Sequence, residues 1–265
     1  MRLHVEARLD YDFIGEVESL LHLEVAQSPG QTIVTESLVL DPPIAWSRLD
    51  DPATGERRVV FTHQGPLQIT YLATVDLTPR DDGLAGAAQH AIASLPVEVL
   101  PFLRASRYIE SDLFEQIAAC DFGPLQGGDK VVAIIDWLRG ALTYRWGTST
   151  STTTAMNAYM NRQGVCRDYA HIAAALCRAS DIPARMVSAY AVGLEPQDFH
   201  AVIEVYVGGR WRLVDPTGRA CPETLIRIGE GRDAADIAFL TIFGRATMTR
   251  QSVRVRELLR EPAAA

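Results

Sequence analysis

A segment bracketed by Gly164 and Pro183 sets the tightest limits on how this 265-residue chain can fold. Gly164-Val165-Cys166-Arg167-Asp168-Tyr169-Ala170-His171 leads into an alanine-rich run that closes on Asp181-Ile182-Pro183-Ala184-Arg185. Tyr169, Ala170, Ala173, Ala174, Leu176 and Cys177 recur at helical spacing, which predicts a helix with one apolar face. Its alanines let another element approach closely. The helix must stop before Pro183, because the residue preceding a proline is pushed out of the helical region. Residues 185–192 then alternate as a strand. Residues 199–207 and 211–214 follow as two more, joined through Gly208-Gly209, a pair that suits a two-residue hairpin turn. Helices followed by an antiparallel sheet make this half an α+β arrangement.

The N-terminal part has a different texture. Leu3, Val5, Ala7 and Leu9 alternate with polar residues, and so do Leu21, Leu23 and Val25. Further strands are expected over residues 32–40 and 59–62, between the turns Ser28-Pro29-Gly30, Asp41-Pro42-Pro43 and Pro52-Ala53-Thr54-Gly55. Short strands separated in this way predict an antiparallel β domain, sandwich-like or a partial barrel, over residues 1–82. Pro79-Arg80-Asp81-Asp82-Gly83 marks the boundary, and residues 83–265 form the second domain. His4, His22 and His63 are scattered through the first part and suggest no chemistry.

Within the second part, Asp112 and Glu115 could make a capping box for a helix reaching Cys120. Val131, Val132, Ile134, Ile135 and Leu138 predict a clearer helix after Gly127-Gly128. Residues 147–154 are almost all Ser or Thr and read as a surface loop, one threonine capping a helix at 155–160. Gly231-Arg232-Asp233 introduces a short helix-like segment. Residues 248–258 alternate as a last strand, with Arg250, Arg254, Arg256 and Arg260 on its solvated side.

Composition serves mainly to exclude. A net charge of −8 without a basic cluster argues against nucleic acid as a partner. No apolar run approaches the roughly 18 residues of a membrane span, and the N-terminus lacks an apolar core of signal-peptide length. A cytoplasmic location is expected. The four cysteines, Cys120, Cys166, Cys177 and Cys221, form no Cys-x-x-Cys pair and never meet histidine at ligand spacing, so neither a disulfide framework nor a metal site is expected. No calcium loop of alternating acidic residues appears. No cofactor is expected.

Cys166 is the exception among the cysteines. A thiol at a helix N-terminus lies in the positive end of the helix dipole, which favours a thiolate, and the free N–H groups there could stabilise an oxyanion. Thiol catalysis also needs a base and a group to orient it. With Gly208 and Gly209 as the loop, Val207 faces Arg210, Val202 faces Asp215, and His200 faces Thr217. His200 and Asp215 then share a face as diagonal neighbours, with Cα atoms about 7–8 Å apart. A three-residue loop would put them on opposite faces. Alone, each residue has an ordinary structural role; in this order and parity they predict a nucleophile, a base and an orienting carboxylate. His171 lies five residues along the helix and is turned away from the cysteine, so a core or supporting role is expected. Arg167 and Asp168 are placed to bond each other or the neighbouring loop.

These motifs resemble the transglutaminase-like superfamily of thiol enzymes, whose bacterial branch carries a β-rich N-terminal domain before the catalytic core. The resemblance rests on Gly164 to His171, Ile182-Pro183-Ala184-Arg185, Asp198-Phe199-His200-Ala201, Asp215-Pro216-Thr217 and Gly231-Arg232-Asp233-Ala234, and covers most of residues 105–245. It implies a papain-like α+β core, its nucleophile helix packed on an antiparallel sheet, with a Cys166–His200–Asp215 triad. Val202 stands where the family often has tryptophan, which implies a differently shaped groove beside the histidine. The oxyanion donor stays open among Trp146, Asn157 and Gln163. The implied reaction is acyl transfer from a peptide, protein or small amide. Hydrolysis is favoured over amine-dependent cross-linking, because bulk water outcompetes an amine unless the site excludes it. A binding domain that kept the fold without turnover is the reading from a different class. Oligomeric state is not legible.

Overall fold

The computed structural model describes residues 1–258. The chain runs through β1 (Arg2–Leu21), β2 (Gln31–Asp41), β3 (Trp46–Asp50), β4 (Arg57–Leu77), α1 (Glu115–Phe122), α2 (Gly127–Ala141), β5 (Thr143–Tyr144), α3 (Ala155–Asn161), β6 (Gln163–Gly164) and α4 (Cys166–Arg178). It continues through β7 (Ala184–Ala191), β8 (Phe199–Val207), β9 (Arg210–Val214), β10 (Leu225–Gly231), β11 (Leu240–Phe243) and β12 (Ala246–Glu257). The α+β class expected from the sequence is the class observed.

The first sheet differs from its expected form. Leu3 to Leu9 and Leu21 belong to one strand of 20 residues, not to separate short ones. A bulge between Phe13 and Val17 inserts residues without changing parity, so Val17 and Leu21 still point inward with Leu3 and Leu9. β1, β4 and β2 are joined by β11 and β12 on β1 and by β3 on β4, giving one six-stranded antiparallel sheet in place of a self-contained sandwich. Its last strands come from the other end of the chain: β12 pairs from Leu3↔Glu257 to Phe13↔Ala246, and β11 from Glu18↔Phe243 to Leu21↔Leu240. Residues 240–257 thus cross the expected division after residue 82. The unpaired edge of β1 supplies the reason, since its N–H and C=O groups need partners and Val253 and Val255 complete its buried face. Arg250, Arg254 and Arg256 are exposed as expected; Arg260 lies outside the described residues.

The second sheet has the order β10-β7-β8-β9, all antiparallel. α4 packs on β7 and β8, while α2 and α3 cover its other side. Every residue from Asp168 to Arg178 is therefore buried, not one face alone. Ala170, Ala173, Ala174 and Ala175 permit that close approach, and the polar residues survive by bonding. Arg178, for example, donates to the carbonyls of Ala184, Arg104 and Arg232. Two local expectations fail here. A 3₁₀ turn over Ser111–Phe114 precedes α1, with no side-chain cap from Asp112 or Glu115. The segment after Gly231 forms a turn, because Asp233 accepts from the Tyr108 and Ala235 N–H groups.

The two sheets share a core. Leu3, Val5, Tyr71 and Val75 of the first pack with Tyr190, Ile226 and Ile228 of the second. The Tyr71 and Tyr190 rings stack at 6.4 Å, and the Tyr190 hydroxyl donates to the Leu23 carbonyl at 2.7 Å. A second seam reaches the strand that carries His200. Gln197 brackets Val255 of β12, accepting from its N–H at 2.7 Å and donating to its carbonyl at 3.2 Å. Gln251 of the same strand donates to Asp198. Phe199 stacks on Phe239 at 4.6 Å. The β8 entry is thereby held by the first sheet.

His22 sits at a close contact between the end of β1 and the second sheet. Its imidazole is buried against Gly229 of β10, and a Cβ at that glycine would lie 2.0 Å from His22 Cε1. Burial pushes the imidazole pKa down to about 3 and keeps the ring neutral. Gly229→Ala is expected to destabilise the fold by about 1–3 kcal/mol through overpacking, measured by denaturant unfolding; an unchanged midpoint would contradict this account of the seam.

Candidate active site

The site begins at the hairpin. Gly208 and Gly209 have φ of +63° and +76°, the left-handed pair that a two-residue hairpin turn demands. Pairing runs from Val207↔Arg210 to Ile203↔Val214, the register expected from the sequence. Asp215 follows immediately after β9. His200 Nε2 and Asp215 Oδ2 are 3.0 Å apart, both side chains almost fully buried.

Asp215 is held on every side. Its Oδ2 also accepts from the Ala220 N–H at 2.8 Å, and Oδ1 accepts from the Thr217 N–H at 2.9 Å and hydroxyl at 2.8 Å. Its backbone carbonyl takes a bond from Arg139 of α2 at 2.9 Å. Burial works against the carboxylate, but the bonds from His200, Ala220 and Thr217 outweigh it, and the pKa lies below the usual range.

His200 and Cys166 line one cavity, and the thiol joins Asp215 in favouring the charged imidazole. Burial opposes the charged imidazolium; Asp215 and Cys166 overcome that and raise the pKa to about 10. Cys166 is the first residue of α4 and is half-buried. It opens with His200 into a cavity of about 290 Å³ walled by Trp146, Val165, Phe199, Ile237 and Phe239. A thiol at a helix N-terminus, an imidazolium beside it and a saturated carboxylate behind the imidazole make a set suited to nucleophilic attack on a carbonyl.

The other expected residues divide. Asp168 is buried and accepts from the Val165 N–H and the Ser149 hydroxyl, each at 2.8 Å, while Arg167 donates to Ser149 and the Thr150 carbonyl. Both therefore bond the Ser/Thr loop, and Asp168 also ties the turn before Cys166. His171 is fully buried, stacked on Tyr108 at 5.7 Å, and accepts from the Ala234 N–H at 3.2 Å. Burial lowers its pKa to about 3, so it is a supporting core residue. Asn157 closes a capping box with Thr154 at the start of α3, the threonine cap expected there. Gln163 pairs through its backbone with Thr143. Of the three oxyanion candidates, Trp146 alone lines the cavity, and it is half exposed. Cys177 is buried in the core, its pKa pushed up to about 12, and Cys120 and Cys221 are exposed.

Sequence reading missed Tyr144. The parallel bridge β5–β6 sets it opposite Gly164, two residues before Cys166, and burial and the Cys166 thiol raise its phenol pKa. A two-residue bridge leaves no periodicity to find; only the short extended texture around Leu142–Trp146 hinted at it. Among the described residues, no group of three or more His, Cys, Asp and Glu side chains could hold a metal ion, and no helix is long and apolar enough to cross a membrane.

Comparison with known proteins gives matching results. A model of the transglutaminase-like superfamily matches residues 116–216, a stretch containing Cys166, His200 and Asp215. A Cytophaga hutchinsonii structure described as a "Putative Cysteine Protease" superposes with a TM-score of 0.91 at 33% identity, covering 99% of this chain and 92% of that one. An uncharacterized Mycobacterium leprae protein is 36% identical over 117 residues, which span 41% of this chain and 42% of that protein's length. An uncharacterized Mycobacterium tuberculosis protein is 26% identical over 267 residues, covering 89% of this chain and 85% of that protein.

The raised His200 pKa makes a prediction about stability. The folded chain keeps a proton that the unfolded chain releases near pH 6.5, so the contribution of the charged imidazole is complete below about pH 6.5 and lost as the pH rises through about 10. Thermal unfolding of wild type and His200→Asn across that window should show the wild-type advantage shrinking towards high pH. An advantage independent of pH would contradict the assignment.

Proposed function

We propose, on the premise that this chain belongs to the transglutaminase-like superfamily, that it transfers the acyl group of an amide through Cys166. The observation carrying this reading is the placement of His200, bonded to buried Asp215 and lining one cavity with Cys166. Cys166 sulfur attacks the amide carbonyl and forms a tetrahedral adduct. His200 delivers a proton to the departing amine as the C–N bond breaks, leaving a thioester. Water, deprotonated by His200, then releases the acid and restores the thiol. Asp215 keeps the imidazole oriented and stabilises its charge throughout.

Hydrolysis is the favoured outcome. The groove has one carboxylate, Asp198, and its Oδ1 is already taken up by the Phe199 N–H and Gln251. The apolar walls of Trp146, Phe199, Ile237 and Phe239 suit an apolar side chain next to the scissile amide of a peptide or protein. The cysteine-protease description of the Cytophaga hutchinsonii neighbour accords with this direction. A non-catalytic binding role is disfavoured by a complete nucleophile, base and carboxylate in bonding order.

A limiting amount of iodoacetamide, read by intact mass and peptide mapping, tests the nucleophile. Cys166 should be labelled ahead of exposed Cys120 and Cys221, and Cys166→Ala should remove the fast phase; labelling of Cys166 no faster than of a denatured cysteine would overturn the proposal. Glutamine and isopeptide substrates with and without an added amine then separate the two acceptors. Release of acid unaffected by the amine is expected, whereas amine incorporation in its place would assign cross-linking.

A further inference from the structure

The geometry points to a second binding site, remote from Cys166, that takes a small organic monocarboxylate on the Lys130 ammonium. Cys166 heads α4, and this site lies at the other end of that helix, 13 residues and about 20 Å away. There a cavity of about 440 Å³ opens between the last turn of α4, the end of α1, the start of α2 and residues 89–91. Gln89 braces it, accepting from the Gly127 N–H at 3.0 Å and donating to the Ser180 carbonyl at 2.9 Å. It shares no wall with the groove beside Cys166.

Lys130 lines this cavity but is only 8% exposed, a depth at which lysine is rarely found without a partner. Among the described residues, none accepts a hydrogen bond from its ammonium or forms an ion pair with it. Its own helix adds to the excess of positive charge, since Lys130 sits at the head of α2, where the free N–H groups lie. The nearby Cys177 thiol supplies no counter-charge, because burial pushes its pKa up to about 12. Two other groups of the cavity keep open bonding capacity. The Ser180 hydroxyl, in a residue 9% exposed, and His90 Nε2 are both buried without a partner among the described residues. Water hydrates an ammonium but leaves its charge uncompensated. A carboxylate accepts from the ammonium, offsets its charge and gives the Ser180 hydroxyl an acceptor.

Charge and wall chemistry set the class of ligand. One lysine matches one negative charge. The C-terminal end of α4 brings the negative pole of its dipole to the cavity, and exposed Asp181 stands on the same wall, so a dianion is opposed. Ala91, Ala118, Ala119 and Leu125 offer an apolar surface to a short alkyl chain. The volume is that of a site for a small molecule, well above what an inorganic ion needs.

Thermal unfolding in sodium butyrate, with neutral butyramide as the isosteric control and ionic strength matched by sodium chloride, tests the site. Butyrate should raise the wild-type midpoint saturably, by about 2–5 °C, and butyramide should not. Lys130→Met keeps the stem and removes the charge, so the butyrate response should vanish. Ala119→Leu fills the cavity from its rim and leaves the lysine in place; it should lose most of the response, and it decides the matter if Lys130→Met does not fold. No response in wild type would overturn the inference. So would a response that fails to saturate, that butyramide reproduces, or that persists in Lys130→Met or undiminished in Ala119→Leu.

Discussion

The hydrogen bond between His200 and Asp215 is the interaction on which the rest of the site depends, and two glycines decide whether it exists. Side chains alternate along a strand, so a one-residue slip in the β8–β9 register would turn the imidazole and the carboxylate to opposite faces. The left-handed conformations of Gly208 and Gly209 hold the two-residue loop that prevents the slip. Burying an ion pair costs several kcal/mol per charge unless the remaining bonding capacity is filled. Here Ala220 and Thr217 fill that of the carboxylate, and Arg139 ties its backbone to α2. The imidazole's second nitrogen is left for Cys166.

The first sheet then has a definite task. β8 enters the second sheet from a segment whose residues are bonded to β12: Gln197 to Val255, and Asp198 to Gln251. Phe199 packs into the interface against Phe239. Because β12 is itself a strand of the first sheet, paired along β1, the position of His200 is referred to both ends of the chain. Phe199 and Phe239 also wall the groove, so the interface that stabilises the molecule shapes the cavity beside Cys166.

What was legible in the sequence follows from the range over which each feature is determined. The helix after Cys166, its stop before Pro183, the Thr154 cap and the Gly208-Gly209 hairpin are local, and each has a residue type with a specific backbone consequence. The His200–Asp215 pair was legible because hairpin register converts local turn chemistry into side-chain proximity. Features set by distant pairing were not. Nothing near Ala246–Glu257 announces that the strand returns to β1, since an edge recruits any alternating segment that reaches it. Nor does a helical pattern reveal that α4 is covered on all sides, because alanine reads alike at a surface and in a core. Tyr144 escaped for the same reason: the bridge that brings it to Cys166 is two residues long and closes across α3.

The central claim is that His200 and Asp215 act on Cys166 as one unit. The rate of Cys166 acylation by an activated ester, measured for His200→Ala, Asp215→Asn and the double variant, tests this most directly. If Asp215 works through the imidazole, the double variant should be no slower than His200→Ala alone, the non-additivity expected of groups that serve one step. Losses that multiply in the double variant would mean that the two residues act independently, and would contradict the account.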